Sequence, residues 1–82
     1  MYELWDARSL NMIDCYKDAV QAEIAIAENV RQHGPAVLDA LFIVHEDDNE
    51  ESTLIAEGQA TLVAVKWLSA EERATAASRR VG

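Results

Sequence analysis

The amino-acid sequence predicts an α+β fold, in which a four-stranded, mostly antiparallel sheet carries one main helix on a face and a second helix near the C-terminus. One long segment has helix signals at both ends, and short segments rich in branched and aromatic residues flank it in pairs. The predicted order is ββαββα. The predicted strands are residues 2–6, 12–16, 37–46 and 52–56, and the predicted helices are residues 18–34 and 59–68.

The chain length allows one small domain, since it has only 82 residues. We place this domain at residues 1–68. Residues 69–82 are predicted to form a polar extension that is either helical or frayed.

The first hairpin has its turn at residues 7–11. Side chains alternate along a strand, so Tyr2 and Leu4 share one face while Glu3 and Trp5 share the other. A large aromatic side chain that faces away from the first core usually has a neighbour. We therefore expect Trp5 to contact the second half of the chain or another subunit.

The main helix is bounded by local signals. Asp18 is a candidate N-cap, and Gln21 three residues later completes a capping box. His33 falls in the last turn, Gly34 can adopt the positive φ of a C-terminal cap, and Pro35 stops the helix.

The apolar arc of this helix is wider than the stripe of roughly 100° that is needed to pack on one sheet. Its two rows are Ala22, Ile26 and Val30, and Val20, Ile24 and Ala27. We therefore expect the helix to have two contact surfaces, one toward the sheet and one toward another partner.

The second hairpin contains the continuous apolar run at residues 40–44, which is typical of a central strand covered on both faces. Residues 46–51 are predicted to form its acidic loop, and Glu57 and Gly58 end its second strand. In the following helix, one helical face carries Ala60, Val63, Ala64 and Trp67.

A second capping-box pattern begins at Ser69, with Glu71 and Glu72 after it. It predicts either the start of a separate helix or a kink in one long helix. The residues after it are rich in Ala, Glu and Arg and have almost no apolar stripe, so this segment alone should be marginal in water.

Composition limits the classes of partner. The net charge of −8 argues against direct nucleic-acid binding, which depends on Lys and Arg. No apolar run is long enough to span a bilayer, and the N-terminus lacks the features of a signal peptide, so we expect a cytoplasmic protein without membrane contact. The lone Cys15 forms no internal disulfide and is expected to be buried or half-buried.

Chemical motifs do not indicate an enzyme. The two histidines, His33 and His45, have no partner at a recognisable triad spacing, and the three glycines are too few for a phosphate-binding loop. The acidic loop lacks the spacing and central glycine of an EF-hand, which favours a solvated loop over a metal site. We predict no cofactor, no metal and no catalytic residues.

Several segments can be compared as a set, namely residues 2–6, 11–13, 31–34, 46–48 and 52–58, together with Tyr16. Together they resemble a group of small uncharacterised bacterial proteins built as hairpin–helix–hairpin units with a short C-terminal helix. The similarity covers about the first 65 residues, and its motifs are structural. Some small proteins of similar build are antitoxins of the HicB type, which place three strands before the helix where this chain has two.

The sequence therefore favours a non-enzymatic protein–protein interaction module, of which an antitoxin-like partner protein is one form. A chain that is 50% hydrophobic and only 82 residues long is expected to need a partner or self-association for stability. The alternatives are a self-associating homodimer with a structural or regulatory role and a small protein that binds a divalent cation. The residues predicted to form the interface are Trp5, Ile24, Trp67, Arg73, Arg79 and Arg80.

Overall fold

The structure is a computed structural model that describes the backbone of residues 1–81 and the side chains of residues 1–79. Its elements are β1 (Tyr2–Asp6), β2 (Asn11–Tyr16), α1 (Ala19–His33), a 3₁₀ helix (Pro35–Ala40), β3 (Leu41–Glu46), β4 (Ser52–Glu57) and α2 (Ala60–Val81).

The four strands form one antiparallel sheet in the order β2-β1-β3-β4. The first strands of the two hairpins pair at its centre, where Leu4 lies opposite Ile43. Both edge strands contain one extra residue, since the register shifts opposite Leu4/Trp5 and opposite Ile43/Val44. Such bulges increase the local twist of a sheet. The predicted α+β fold with ββαββα order is confirmed.

Helix α1 begins and ends where the sequence predicts. The Asp18 carboxylate accepts a hydrogen bond from the Gln21 N–H at 2.9 Å. Gly34 has a φ of 86°, and its N–H donates to the Val30 carbonyl at 2.7 Å. A positive φ at this position favours glycine because a Cβ would be strained there.

A second carboxylate acceptor at the start of α1 comes from a distant part of the chain. The carboxylate of Glu72 in α2 accepts from the Ala19 N–H at 3.0 Å and from the Val20 N–H at 3.1 Å. Together with Asp18, it satisfies three of the four N–H groups that a helix leaves unpaired at its N-terminus. Because the negative charge lies at the positive end of the helix dipole, this contact also joins the two helices electrostatically.

The segment before β3 is not a strand. The sequence predicts extended backbone from Val37, but residues Pro35–Ala40 form a 3₁₀ helix. Pro35 is compatible with the first turn of a helix because its missing N–H has no partner there in any case. Leu38 is buried at 3% exposure, so this turn anchors the connection between α1 and β3 in the core.

Helix α2 runs without a break through the predicted cap at Ser69. Ser69 is buried at 1% exposure, and its hydroxyl oxygen accepts from the Arg73 guanidinium at 3.4 Å. A serine can bond within a helix in this way instead of capping a new one. Of the two alternatives predicted at Ser69, the start of a separate helix is therefore wrong, and of the two predicted for the extension the structure shows the helical one as far as Val81. The division of the chain at residue 68 stays a prediction.

The core lies between the helices and one face of the sheet. Its largest fully buried apolar side chains are Leu4, Ile26, Ile43 and Val65. Both helices lie on this side, so β3 is covered on one face only. The prediction of a strand covered on both faces is wrong, because the alternate side chains Phe42 and Val44 point away from the helices and are only half-buried.

Thr61 gives a stability prediction. It is fully buried, and its hydroxyl has no hydrogen-bond partner among the described residues. An unpaired buried polar group costs stability, and an apolar group of the same shape does not have this cost. Thr61→Val is therefore expected to raise the free energy of unfolding by about 1 kcal/mol in urea denaturation.

The matched control is Thr61→Ser, which keeps the hydroxyl and removes the methyl group. We expect this variant to be less stable than the native chain. A loss of stability in Thr61→Val would contradict the assignment, because it would mean that the hydroxyl is hydrogen-bonded.

Candidate functional site

The side of the sheet opposite the helices carries a band of apolar side chains across all four strands. We name this band the open-face patch, and it consists of Met12, Trp5, Phe42, Val44 and Leu54. The strand register places Trp5 between Met12 and Phe42, and it places Val44 opposite Leu54. No described element of the chain covers these side chains.

Trp5 and Phe42 form the centre of the open-face patch. Their rings stack with centroids 6.0 Å apart and an interplanar angle of 8°. The predicted neighbour of Trp5 in the second half of the chain is therefore Phe42. Stacking covers one side of each ring, while Met12 and Leu54 at the two ends stay 48% and 56% exposed. The result is a rigid aromatic centre with exposed aliphatic ends.

The charged side chains that share this side of the sheet are all acidic. The register places Glu3 and Glu57 on it beside the patch, and Glu46 at its end. The Trp5 indole N–H donates to the Glu3 carboxylate at 3.2 Å, which fixes the orientation of the indole. The carboxyls of Glu3 and Glu46 share a hydrogen bond, which raises the pKa of Glu46 above its usual value. This side of the sheet is thus apolar in the middle and negative at its margin.

Cys15 lies in the edge strand β2 and is exposed. The prediction of a buried or half-buried residue is wrong because the strand register places Cys15 opposite Glu3, on the side of the sheet that the helices do not cover. Side chains of directly opposite residues on two paired strands lie on the same face of the sheet.

His45 and the acidic loop have structural contacts. The His45 ring lies 4.8 Å from the ring of Tyr2, on the side of the sheet that faces the helices. In the loop, the Asp47 carboxylate accepts from the N–H groups of Asn49 at 2.9 Å and of Glu51 at 3.0 Å, which closes the turn. The described residues contain no group of three or more His, Cys, Asp or Glu side chains arranged to hold a metal ion.

The predicted interface residues lie in separate places. Trp5 belongs to the open-face patch, while Ile24 and Trp67 lie on the outer surfaces of α1 and α2 with 60% and 63% exposure. Arg73 and Ile24 line one shallow groove between the helices, and Arg79 lines another beside Tyr2. The side chain of Arg80 lies outside the described residues.

Sequence reasoning missed four members of the open-face patch, namely Met12, Phe42, Val44 and Leu54. The signal for two of them was present in the apolar run at residues 40–44, because both alternating faces of β3 are apolar. The apolar run did not show that the rest of the chain leaves one of these two faces of β3 uncovered.

No protein-family model, curated protein or solved structure matches the chain. In the part of the chain that the structure describes, no helix combines the length and apolar character needed to cross a lipid bilayer. The fold and the patch define a small α+β protein with a single layer of helices and one uncovered sheet face.

Proposed function

We propose that this protein is a non-enzymatic protein–protein interaction module that binds another polypeptide through the open-face patch. The observation that carries the proposal is the apolar band across four strands, centred on the stacked rings of Trp5 and Phe42. Aromatic side chains and Met are enriched at protein interfaces, and residues that dominate binding cluster at the centre of the contact. Contiguous exposed apolar patches usually mark such a contact.

The acidic residues at the margin of the open-face patch indicate which kind of partner surface is complementary to it. Glu3, Glu46 and Glu57 surround the apolar centre, and none of the strand residues that the register places on the same side of the sheet is basic. A complementary surface is apolar in the middle with Lys or Arg at its edge, since complementary potentials favour association and exclude wrong partners. The chain's net charge of −8 acts in the same direction.

An antitoxin-like role is one form of this proposal, in which the chain masks a basic partner protein in the cytoplasm. The predicted contribution of Arg73, Arg79 and Arg80 would then be a second contact with acidic groups of that partner. This form requires that a partner protein loses its activity when the chain binds to it.

The test compares two acidic substitutions at exposed apolar positions. Leu54→Glu introduces a charge into the open-face patch, and Ile24→Glu introduces one on the outer surface of α1, where the native side chain is 60% exposed. A partner recovered with the native chain from source cells is purified and titrated against both variants. We expect Leu54→Glu to weaken its binding about tenfold or more and Ile24→Glu to leave its binding unchanged.

Tryptophan fluorescence locates the contact independently. In a Trp67→Phe variant, Trp5 is the only tryptophan, so quenching by acrylamide measures access to the patch. The bound partner should protect Trp5 from quenching. A partner that binds Leu54→Glu as tightly as the native chain, with Trp5 equally accessible, would refute the proposal.

A further inference from the structure

The outer surface of α2 carries a second apolar stripe, which we name the α2 seam. Its members are Ala60, Val63, Trp67, Ala70, Ala74 and Ala77. All of them are exposed, with Val63 at 69% and Trp67 at 63%. The residues of α2 that are buried against the body, Thr61, Val65 and Ser69, follow a separate helical row.

The spacing of the α2 seam alternates between three and four residues over nearly three heptads. This repeat places its members at the a and d positions of a coiled coil, where side chains meet a second helix. A seam limited to Ala would be a weak indication, but Val63 and Trp67 are large side chains that water contacts on most of their surface. The seam is thus an apolar face with the periodicity of a helix–helix contact.

The length of α2 points to the same contact. Glu72 is the last residue of α2 that bonds to α1, and every described side chain after it, from Arg73 to Arg79, is exposed. A helical end without packing is marginal in water. A helix of 22 residues is about 33 Å long, so a second helix along the seam would support the part that extends beyond α1.

The charged residues beside the α2 seam indicate which helix can pack along it and in which direction that helix runs. With Ala60 at position a, Lys66 and Arg73 occupy g positions and Glu71 occupies an e position, and all three are exposed. In a parallel pair of identical helices, g of one copy faces e of the other, so Lys66 meets Glu71 twice. An antiparallel pair would bring g positions together, and their like charges would repel.

We propose that a second copy of this chain docks along the α2 seam in parallel orientation and forms a two-fold symmetric dimer. In each copy, the rest of the domain packs against the side of α2 that carries Val65, away from the contact between the two α2 helices. The two sheets therefore lie on the outside of the dimer. The proposal goes beyond partner binding at the open-face patch and is independent of it. If both hold, the dimer presents two patches and can bind a repeated partner with increased avidity.

The first test measures mass in solution by sedimentation equilibrium of the full chain. We expect a concentration-dependent dimer with twice the 9.1 kDa mass of the chain. Val63→Glu should be monomeric with unchanged helical circular dichroism, whereas Leu54→Glu in the open-face patch should still dimerise. A native chain that is monomeric at every concentration, or a dimer lost only in Leu54→Glu, would overturn the proposal.

The second test measures orientation. Glu71→Lys or Lys66→Glu alone is expected to weaken the dimer about tenfold, because two attractions become two repulsions. The double variant Lys66→Glu/Glu71→Lys should restore it. In a Cys15→Ser background, Ala77→Cys should cross-link two copies on mild oxidation, since equal positions meet in a parallel pair. Failure of the double variant to restore dimerisation, or a dimer without this cross-link, would refute the parallel arrangement.

Discussion

Truncation of the chain after Leu68 is expected to unfold the domain, although the removed segment is polar and mostly exposed. It deletes Ser69, which is buried, and Glu72, whose carboxylate binds two N–H groups at the start of α1. Hydrogen bonds to a charged group contribute about 1.5–3 kcal/mol each. The total stability of a chain of this length is roughly 4–12 kcal/mol, so the loss is a large part of it.

Three matched variants distinguish the loss of these contacts from the effect of shortening the chain. Truncation after Ala74 keeps Ser69 and Glu72 and should leave the thermal unfolding transition in place. At a protein concentration at which the chain is monomeric, the point variant Glu72→Ala should lower the free energy of unfolding by about 2–4 kcal/mol, while Glu71→Ala should change it by less than about 0.5 kcal/mol. Equal stability of Glu72→Ala and Glu71→Ala would show that the contact with α1 is not formed.

The result also decides how the C-terminal segment can be tested for partner binding. A chain that ends at Leu68 would lose a partner because it is unfolded, whichever surface the partner uses. A chain that ends at Ala74 removes Arg79 and Arg80 while keeping the cap on α1. Only the chain that ends at Ala74 can therefore test the proposed second contact with acidic groups of a partner.

Ile43→Ala is expected to destabilise the protein by about 2–5 kcal/mol, the range for removing a large apolar side chain from a core. Ile43 is fully buried between Leu4 and Ala56 in the sheet register and beneath the helices. The neighbouring Val44→Ala is the control, because it lies on the same strand but on the uncovered side. Its expected cost is about 1 kcal/mol.

Urea denaturation at low protein concentration measures both values on the isolated chain. A large difference between the two variants supports a sheet with one covered face. If Val44→Ala costs as much as Ile43→Ala, Val44 is buried within the chain, and the sheet does not have one uncovered face.

The sequence by itself determined those features that depend on a few neighbouring residues. The boundaries of α1 follow from Asp18 and from Gly34 followed by Pro35, because caps and breakers act within one turn. The separation of Leu4 from Trp5 onto opposite faces follows from the alternation of a strand. The two hairpins and their turns are local in the same sense, and the ββαββα order could be predicted from them.

Only the tertiary structure decided the features that depend on distant partners. Glu72 lies 53 residues from the N–H group of Ala19 that it binds, so no local pattern connects them. The buried face of α2 contains Thr61 and Ser69, while Trp67 stays outside, because the position of α2 relative to α1 and the sheet selects which face packs. Phe42 and Val44 are uncovered for the same reason, since periodicity shows that a face is apolar and packing decides whether the chain covers it.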